Sequence, residues 1–221
     1  MLDLKKYNEE DPLKRLVEKD SGGRELSPME PPDISNASVQ PANFEKYHDC
    51  LKQLVHEHQD FNEKLSEFET AILFFKENGL QKQDKIKDSI NNFFAYIDHS
   101  ILPHNRMEEK TLYHLLNERL KTNEMYSKNG SSNTVVDIME DDHSKLIQLS
   151  ALTFNLLGLA TRLPDQNSRL IVLDIAIEQS MAMIELLRLH IYREDHIVFD
   201  LAHQLLSEDE LTQIKQQMIP G

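Results

Sequence analysis

The sequence holds few of the residues on which disulfides, redox motifs and nucleic-acid sites depend. Its 221 residues include one cysteine, Cys50, which excludes an internal disulfide and any CxxC pair and fits a reducing compartment. The 24 Lys and Arg residues are outnumbered by 38 Asp and Glu residues, which gives a formal charge of -14, and the basic residues form no cluster. A surface of this charge repels a phosphate backbone, so nucleic acid is not an expected partner.

Long apolar runs and glycine are also scarce, and tryptophan is absent. No apolar run reaches the roughly 18 residues of a membrane span, and the first residues, MLDLKKYNEED, show no apolar segment after their basic residues. We therefore expect a cytoplasmic protein that does not cross a membrane. Hydrophobic residues make up 39% and charged residues 28% of the chain, with six glycines, which is typical of a soluble, mostly helical protein of one domain.

The chain divides by composition into an arm and a helical part. Residues 1–42 contain five of the eight prolines and the turn-like sequence SGG. They predict a partly ordered arm, with a short helix around residues 11–19, that could contact a protein partner. From Phe44 onward, apolar residues recur every three or four positions and predict four long helices at about 43–77, 84–122, 134–162 and 169–206.

Short connections between these helices predict an all-α fold, an antiparallel up-down-up-down four-helix bundle over residues 43–206. Ser207 and Glu210 form a capping-box pattern, which predicts a short C-terminal helix within residues 207–221 that ends near Met218. The arm and this helix are the two short extra segments of the predicted fold.

An internal repeat relates the two halves of the predicted bundle. HNRMEEKTLYHLL at residues 104–116 aligns with HIYREDHIVFDLA at residues 190–202, and Glu57-His58 aligns with Asp142-His143. The alignment brings histidine onto histidine and acid onto acid. The helical part therefore looks like two copies of one helical hairpin.

Each predicted helix carries one histidine on its apolar stripe, and two helices add a glutamate four residues later. These six polar residues are His58, His104, Glu108, His143, His190 and Glu194. The stripes around them, in chain order, are Leu51, Leu54, Phe61, Leu65, Phe68 and Ile72; Ile90, Ile97, Ile101 and Leu115; Val136, Met139, Leu146, Phe154 and Leu157; and Ala176, Met183, Leu187, Ile197 and Leu201.

Six polar side chains in a predicted core need compensation. Burying an unpartnered polar group costs roughly 1–3 kcal/mol, and an unpaired carboxylate costs more. Together these groups could exceed the roughly 5–15 kcal/mol by which a typical domain is stable. Residues four positions apart lie on one helix face about 6 Å apart along the axis, so each His–Glu pair can reach one pair of metal ions. Four imidazoles and two carboxylates suit iron or manganese, and no thiolate is present to favour a tetrahedral zinc.

At these residues the sequence resembles the bacterial hemerythrin and HHE cation-binding family. The matching pieces are Glu57-His58, HNRMEE at 104–109, Asp142-His143 and HIYRED at 190–195, and the resemblance covers about residues 44–206. It implies two iron ions bridged by an oxo or hydroxo group, with manganese or zinc as alternatives. The four histidines would be terminal ligands, two on each iron, and Glu108 and Glu194 would bridge the irons. An open position would bind O2, NO or peroxide, for sensing, storage or a stress response.

The chain departs from the oxygen-carrying hemerythrins at two positions. They have a second histidine one turn along the third helix, where this chain has Ile147, and their fourth-helix aspartate corresponds to Asp195. We prefer Glu194, which lies on the better face and matches Glu108 in the repeat, and keep Asp195 as the alternative ligand. Otherwise, Asp195 and Glu109 are expected to be solvated or to orient an imidazole.

Three functions fit the sequence. The first is a metal- and gas-binding protein rather than a classical enzyme, with no catalytic residue assigned. The second is a protein that reduces NO or peroxide or repairs iron–sulfur clusters, although the repair proteins resemble one another in a cysteine-bearing N-terminal module and residues 1–49 contain no cysteine. The third is a metal-free helical interaction module that uses the acidic surface and the arm.

Overall fold

The computed structural model describes residue 41 and residues 43–78, 84–122 and 134–218. Helices account for nearly all of these residues and no strand occurs among them, which confirms the all-α prediction. The predicted arm, with its helix at 11–19, lies outside the described residues except for Pro41, and so do residues 219–221. Within the described ranges, none of the helices combines the length and the apolarity that a membrane span requires.

The first helical segment is an α-helix at Asp49–Asn78, preceded by a 3-10 turn at Phe44–Lys46. The predicted start at residue 43 is wrong because Tyr47 is extended, with φ -62° and ψ 146°, and interrupts the helical backbone. The Tyr47 hydroxyl donates to Asp200 Oδ1 at 2.6 Å, which fixes this turn against the fourth helical segment. The whole apolar stripe predicted for this first segment is buried.

The second and fourth helical segments are continuous helices that contain π-helical turns. The second, at residues 84–122, comprises α-helices at Asp84–Tyr96, Leu102–Glu108 and His114–Thr122, with π-turns at Ile97–Ile101 and Glu109–Tyr113. The fourth, at residues 166–205, comprises α-helices at Gln166–Arg193 and Phe199–Leu205 around a π-turn at Glu194–Val198. It begins before the predicted residue 169 because the Asp165 carboxylate caps it, accepting the Ser168 N–H at 2.7 Å.

The third helical segment is Val135–Arg162, and a C-terminal helix follows the fourth segment at Glu208–Gln217. Reciprocal side-chain and backbone hydrogen bonds between Thr134 and Asp137 start the third segment. The capping box predicted at Ser207 and Glu210 is confirmed, with both of its hydrogen bonds present. These caps set the helix starts that the periodic pattern alone left approximate.

The π-turns at Glu109–Tyr113 and Glu194–Val198 displace the buried stripe by one residue. A π-turn contains one more residue than an α-turn, so the helix beyond it is rotated by about 100° relative to an uninterrupted helix. The prediction of a core position is therefore wrong for three residues, which are only half-buried, and their next neighbours are buried instead: Leu115 gives way to Leu116, Ile197 to Val198 and Leu201 to Ala202.

The prediction that Phe154 belongs to the core is also wrong, since its side chain is 53% exposed. The neighbouring buried positions of the third segment are Ser150 and Thr153. Ser150 Oγ donates to the Leu146 carbonyl at 2.7 Å and lies 3.3 Å from Met183 Sδ. Small side chains at these positions let the fourth segment approach closely, and the larger Phe154 packs outside against the edge of Phe94.

Packing between the segments positions the polar residues. The third segment packs extensively along the fourth, and the first packs against both the second and the fourth. Residues at aligned positions of the repeat are buried in both halves. These pairs of equivalent positions are Leu51 and Val136, Phe61 and Leu146, Ile97 and Met183, Ile101 and Leu187, Leu112 and Val198, and Tyr113 and Phe199. The first half of the site, at residues 43–122, and the second half, at residues 134–205, therefore bury equivalent positions.

Candidate metal centre

Six buried side chains from the four helical segments converge in the core. They form two groups that could each hold a metal ion: His58, His104, Glu108 and Glu194 in one, and Glu108, His143, His190 and Glu194 in the other. Within a group, one ligand atom from each residue lies within 4.8 Å of the others. None of the six residues is more than 6% exposed. The structure thus brings all six predicted site residues together, and the two glutamates belong to both groups.

The histidines of each group face one another through Nε2. The two Nε2 atoms are 3.1 Å apart in the His58–His104 pair and 3.1 Å apart in the His143–His190 pair. Two nitrogen ligands at right angles, each about 2.1 Å from one ion, would be separated by roughly 3 Å. The spacing of both pairs is therefore the spacing of two ligands on a shared ion.

Carboxylates outside the two groups fix the orientation of three imidazoles. His58 Nδ1 lies 2.7 Å from Asp195 Oδ1, His104 Nδ1 lies 2.6 Å from Glu57 Oε2, and His143 Nδ1 lies 2.8 Å from Glu109 Oε1. A carboxylate can only accept, so each Nδ1 carries a proton, and whenever the ring is neutral it presents its lone pair at Nε2. Lone pairs that face each other across 3.1 Å repel unless a proton or a cation lies between them.

The acidic residues that follow the two shared glutamates lie outside the two groups and contact the outer edges of imidazoles. Asp195, the alternative ligand, belongs to neither group of four, and Glu109 likewise contacts only the outer edge of an imidazole. Ile147, which stands where the oxygen carriers have a second histidine, is 50% exposed and lies outside both groups.

The fourth imidazole differs from the other three. His190 Nδ1 is 4.0 Å from Asp142 Oδ2, which is too far for a hydrogen bond, and this Nδ1 is buried without a partner. The same Asp142 oxygen instead accepts a hydrogen bond from Arg193 Nη1 at 2.9 Å. Both members of this ion pair are buried.

Two aromatic rings cover the imidazoles at positions that the repeat aligns. Phe199 stacks on His58 with ring centroids 5.6 Å apart, and Tyr113 stacks on His143 with centroids 5.7 Å apart. The Tyr113 hydroxyl also donates to Glu194 Oε1. Burial, with the charges of the nearby glutamates, raises the pKa of Tyr113 well above its usual value, so this group remains a neutral donor.

The two shared glutamates have opposite electrostatic environments in the metal-free chain. Burial raises the pKa of Glu108, and the charge of Glu194 adds to the effect. Burial acts on Glu194 in the same direction, but His190 and His58 outweigh it and hold the pKa of Glu194 well below its usual value. The imidazoles thus outweigh burial at Glu194, whereas at Glu108 the opposing effects of His104 and His58 are smaller than those of burial and Glu194.

The pKa values of His104 and His143 are also shifted in opposite directions. Burial lowers the pKa of His104, but Glu108 outweighs it and raises that pKa to about 9. At His143, burial and the neighbouring His190 lower the pKa to about 3, so His143 is neutral. The imidazoles of the centre therefore differ in protonation, with His104 charged and His143 neutral near pH 7.

Three carboxylate oxygens at the centre could bind a cation. Both oxygens of Glu108 and Oε2 of Glu194 are buried without a hydrogen-bond partner. The nearest nitrogens are His104 Nε2, at 3.3 Å from Glu108 Oε1, and the Nε2 atoms of His58 and His190, each at 3.2 Å from Glu194 Oε2. A neutral imidazole protonated at Nδ1, as at His104, cannot donate from Nε2, so a cation or an added proton is needed to satisfy the oxygens of Glu108.

Sequence reasoning missed four contributors to this centre, namely the carboxylate of Glu57, the stacked ring of Phe199, the hydrogen bond of Tyr113 to Glu194 and the ion pair of Arg193. The repeat contains a signal for the first, because Glu57 and Asp142 each precede a histidine at aligned positions. The other three depend on contacts between segments that periodicity does not contain.

No family model, curated protein or solved structure matches the chain.

Proposed function

We propose that this chain is a hemerythrin-like, non-heme di-iron protein of the HHE type that binds O2, NO or peroxide for sensing, storage or a stress response. The observation that carries the proposal is the pair of overlapping buried groups, which share Glu108 and Glu194 and each contain two imidazole nitrogens 3.1 Å apart. Two cations that share two carboxylates would account for all six polar side chains and for the unpartnered carboxylate oxygens.

The distribution of ligands over the chain supports an up-down-up-down bundle around this centre. Each long segment contributes one histidine, and the second and fourth add a glutamate four residues on. His58 and His104 would hold one ion, His143 and His190 the other, and both glutamates would hold both. Nitrogen and carboxylate donors without thiolate suit iron, with manganese and zinc as alternatives.

The residues around the ions determine what the centre can do. Two ferrous ions would supply the electrons that O2, NO or peroxide accepts. The chain holds the imidazoles in one tautomer through Glu57, Glu109 and Asp195, and the rings of Phe199 and Tyr113 exclude water from two of them. These are requirements for binding a small, weakly polar ligand in a water-poor core.

Reduction of NO or peroxide at the same centre is the second candidate, and Tyr113 favours it. Its phenol is fully buried and already donates to Glu194, so a proton-bearing group stands beside the proposed ligands. Reductive chemistry consumes protons, whereas reversible ligand binding does not. Turnover in the presence of an electron donor would support this candidate, and an optical change without substrate consumption would support the first.

Iron analysis and an optical spectrum of protein from iron-replete cells test the proposal. We expect about two irons per chain and absorption bands that change when O2 or NO is added to the reduced protein. His104→Ala and Glu194→Ala should lower the iron content, whereas His114→Ala, a matched control at a 67% exposed side chain of the same segment, should not. A folded protein without iron would support the metal-free interaction module instead. Unchanged iron in both site variants would remove His104 and Glu194 from the set of ligands.

A further inference from the structure

The outer carboxylates of the centre follow the internal repeat with one exception. Glu57 in the first segment contacts His104 in the second at 2.6 Å. Asp142 occupies the aligned position in the third segment, and its expected partner is His190 in the fourth. These two groups are instead 4.0 Å apart. Of the four carboxylate–imidazole contacts that the repeat would generate, this one is not formed.

Two differences between the halves bear on the broken contact: Asp142 is one methylene shorter than Glu57, and Asp142 has a competing partner. The residue before the bridging glutamate is Met107 in the first half and Arg193 in the second. Arg193 Nη1 donates to Asp142 Oδ2 at 2.9 Å, and the pair is buried, with Asp142 3% and Arg193 9% exposed. Breaking a buried ion pair leaves an uncompensated charge, so Asp142 stays with the guanidinium. Met107 offers no such competitor to Glu57.

Hydrogen bonds to the far nitrogen of a ligating imidazole fix its orientation and increase its basicity, and losing one typically lowers metal affinity 10–100-fold. We propose that Arg193, by withholding Asp142 from His190, makes the position of His143 and His190 the weaker of two cation positions, so that the chain binds divalent cations in sequence. This inference rests on the proposed dinuclear site. The position of His58 and His104, whose imidazoles both have outer carboxylates, fills first.

Titration of the stripped full-length chain with Mn²⁺ tests the order of binding, with free Mn²⁺ measured by electron paramagnetic resonance. The wild-type chain should bind two ions in steps about 10–100-fold apart in affinity. Arg193→Met copies the residue of the first half and releases Asp142 to His190. It should tighten the second step about tenfold or more and leave the first unchanged. Repulsion between two ions would also separate the steps, but it would separate them equally in this variant.

A matched pair of neutral substitutions tests the outer carboxylates directly. Glu57→Gln should weaken the first step about 10–100-fold, whereas Asp142→Asn should change the second by less than about threefold, because Asp142 does not support His190. Circular dichroism melting of each variant checks that the chain is folded before titration. This pair keeps the inference testable if Arg193→Met does not fold.

Each outcome has one meaning. Two steps with the expected variant responses support the inference. Equal affinities in the wild-type chain, or an Asp142→Asn effect as large as that of Glu57→Gln, overturn it while leaving the dinuclear site intact. Absence of saturable Mn²⁺ and Fe²⁺ binding in a folded wild-type chain overturns the proposed function itself.

Discussion

Replacing Glu108 by glutamine should stabilise the metal-free chain, although it removes a proposed ligand. Both carboxylate oxygens of Glu108 are buried without a hydrogen-bond partner, and burial raises its pKa. Raising the pKa makes the folded state less stable as the pH rises above the ordinary pKa of a glutamate, and a glutamine does not titrate. Leaving a buried acceptor unpaired costs about 1–3 kcal/mol, and more when it is charged, so a gain of about 1–3 kcal/mol is expected at pH 7.

Glu194→Gln is the matched control, because this carboxylate has the same burial but different partners. Tyr113 donates to Glu194, and the nearby imidazoles of His58 and His190 lower its pKa. Hydrogen bonds to a charged group contribute about 1.5–3 kcal/mol each, so the control should lose stability. For a domain of this size, 1 kcal/mol corresponds to about 2–4 °C in Tm.

Thermal unfolding followed by circular dichroism, first after chelator treatment and then with excess Mn²⁺, measures both effects. Glu108→Gln should raise the Tm of the stripped protein, and Glu194→Gln should lower it. Both variants should lose most of the rise that Mn²⁺ gives the wild-type chain, which is about 2.7 kcal/mol at 100 times Kd. If Glu108→Gln destabilises the stripped chain as much as Glu194→Gln does, Glu108 has a partner without any cation, and the case for a stranded carboxylate fails.

Three further substitutions test the packing and the caps. Tyr113→Phe, which copies its repeat partner Phe199, should lower the free energy of unfolding in urea by about 1.5–3 kcal/mol because the charged Glu194 loses its donor. An unchanged free energy of unfolding would show that this hydrogen bond contributes nothing. Phe68→Ala should cost about 3–5 kcal/mol because its buried ring stacks on Phe93 at 4.1 Å, whereas the exposed Phe154→Ala should cost far less; equal costs would contradict the assigned core. Ser207→Ala should cost about 1 kcal/mol. Hydrogen bonds to Ser207 and Arg119 lower the pKa of Glu210 to about 2. Its stabilising effect is therefore present above the ordinary glutamate pKa and is lost as the pH falls towards 2. Urea unfolding between these pH values should show a smaller loss of stability in Ser207→Ala than in the wild-type chain.

Periodicity predicts those parts of the fold in which the helix is uninterrupted. The stripe of the first segment, from Leu51 to Ile72, is buried as predicted because no bulge occurs within it. The same reasoning fails after Glu109 and Glu194, where each π-turn adds a residue without a proline or glycine to mark it in the sequence. It fails at Phe154 because the close approach of the fourth segment to Ser150 is a tertiary effect.

The candidate ligands could be predicted because polar residues on an apolar stripe stand out in a sequence. Six of them, which include two His–Glu pairs spaced by four and repeat between the halves, point to one centre, and the structure brings the six together. The outer contacts could not be predicted in the same way. Helical phase does not determine whether Asp142 contacts His190 or Arg193. In the structure Asp142 Oδ2 lies 4.0 Å from His190 Nδ1 and 2.9 Å from Arg193 Nη1.

The exchange of outer carboxylates between the halves makes the centre indivisible. His58 of the first half is oriented by Asp195 of the second, and His143 of the second half is oriented by Glu109 of the first. One half in isolation would keep two imidazoles and one of the two shared glutamates but would lose a carboxylate that orients one of those imidazoles. Such a fragment could regain its missing groups only from the complementary half or from a second copy of itself.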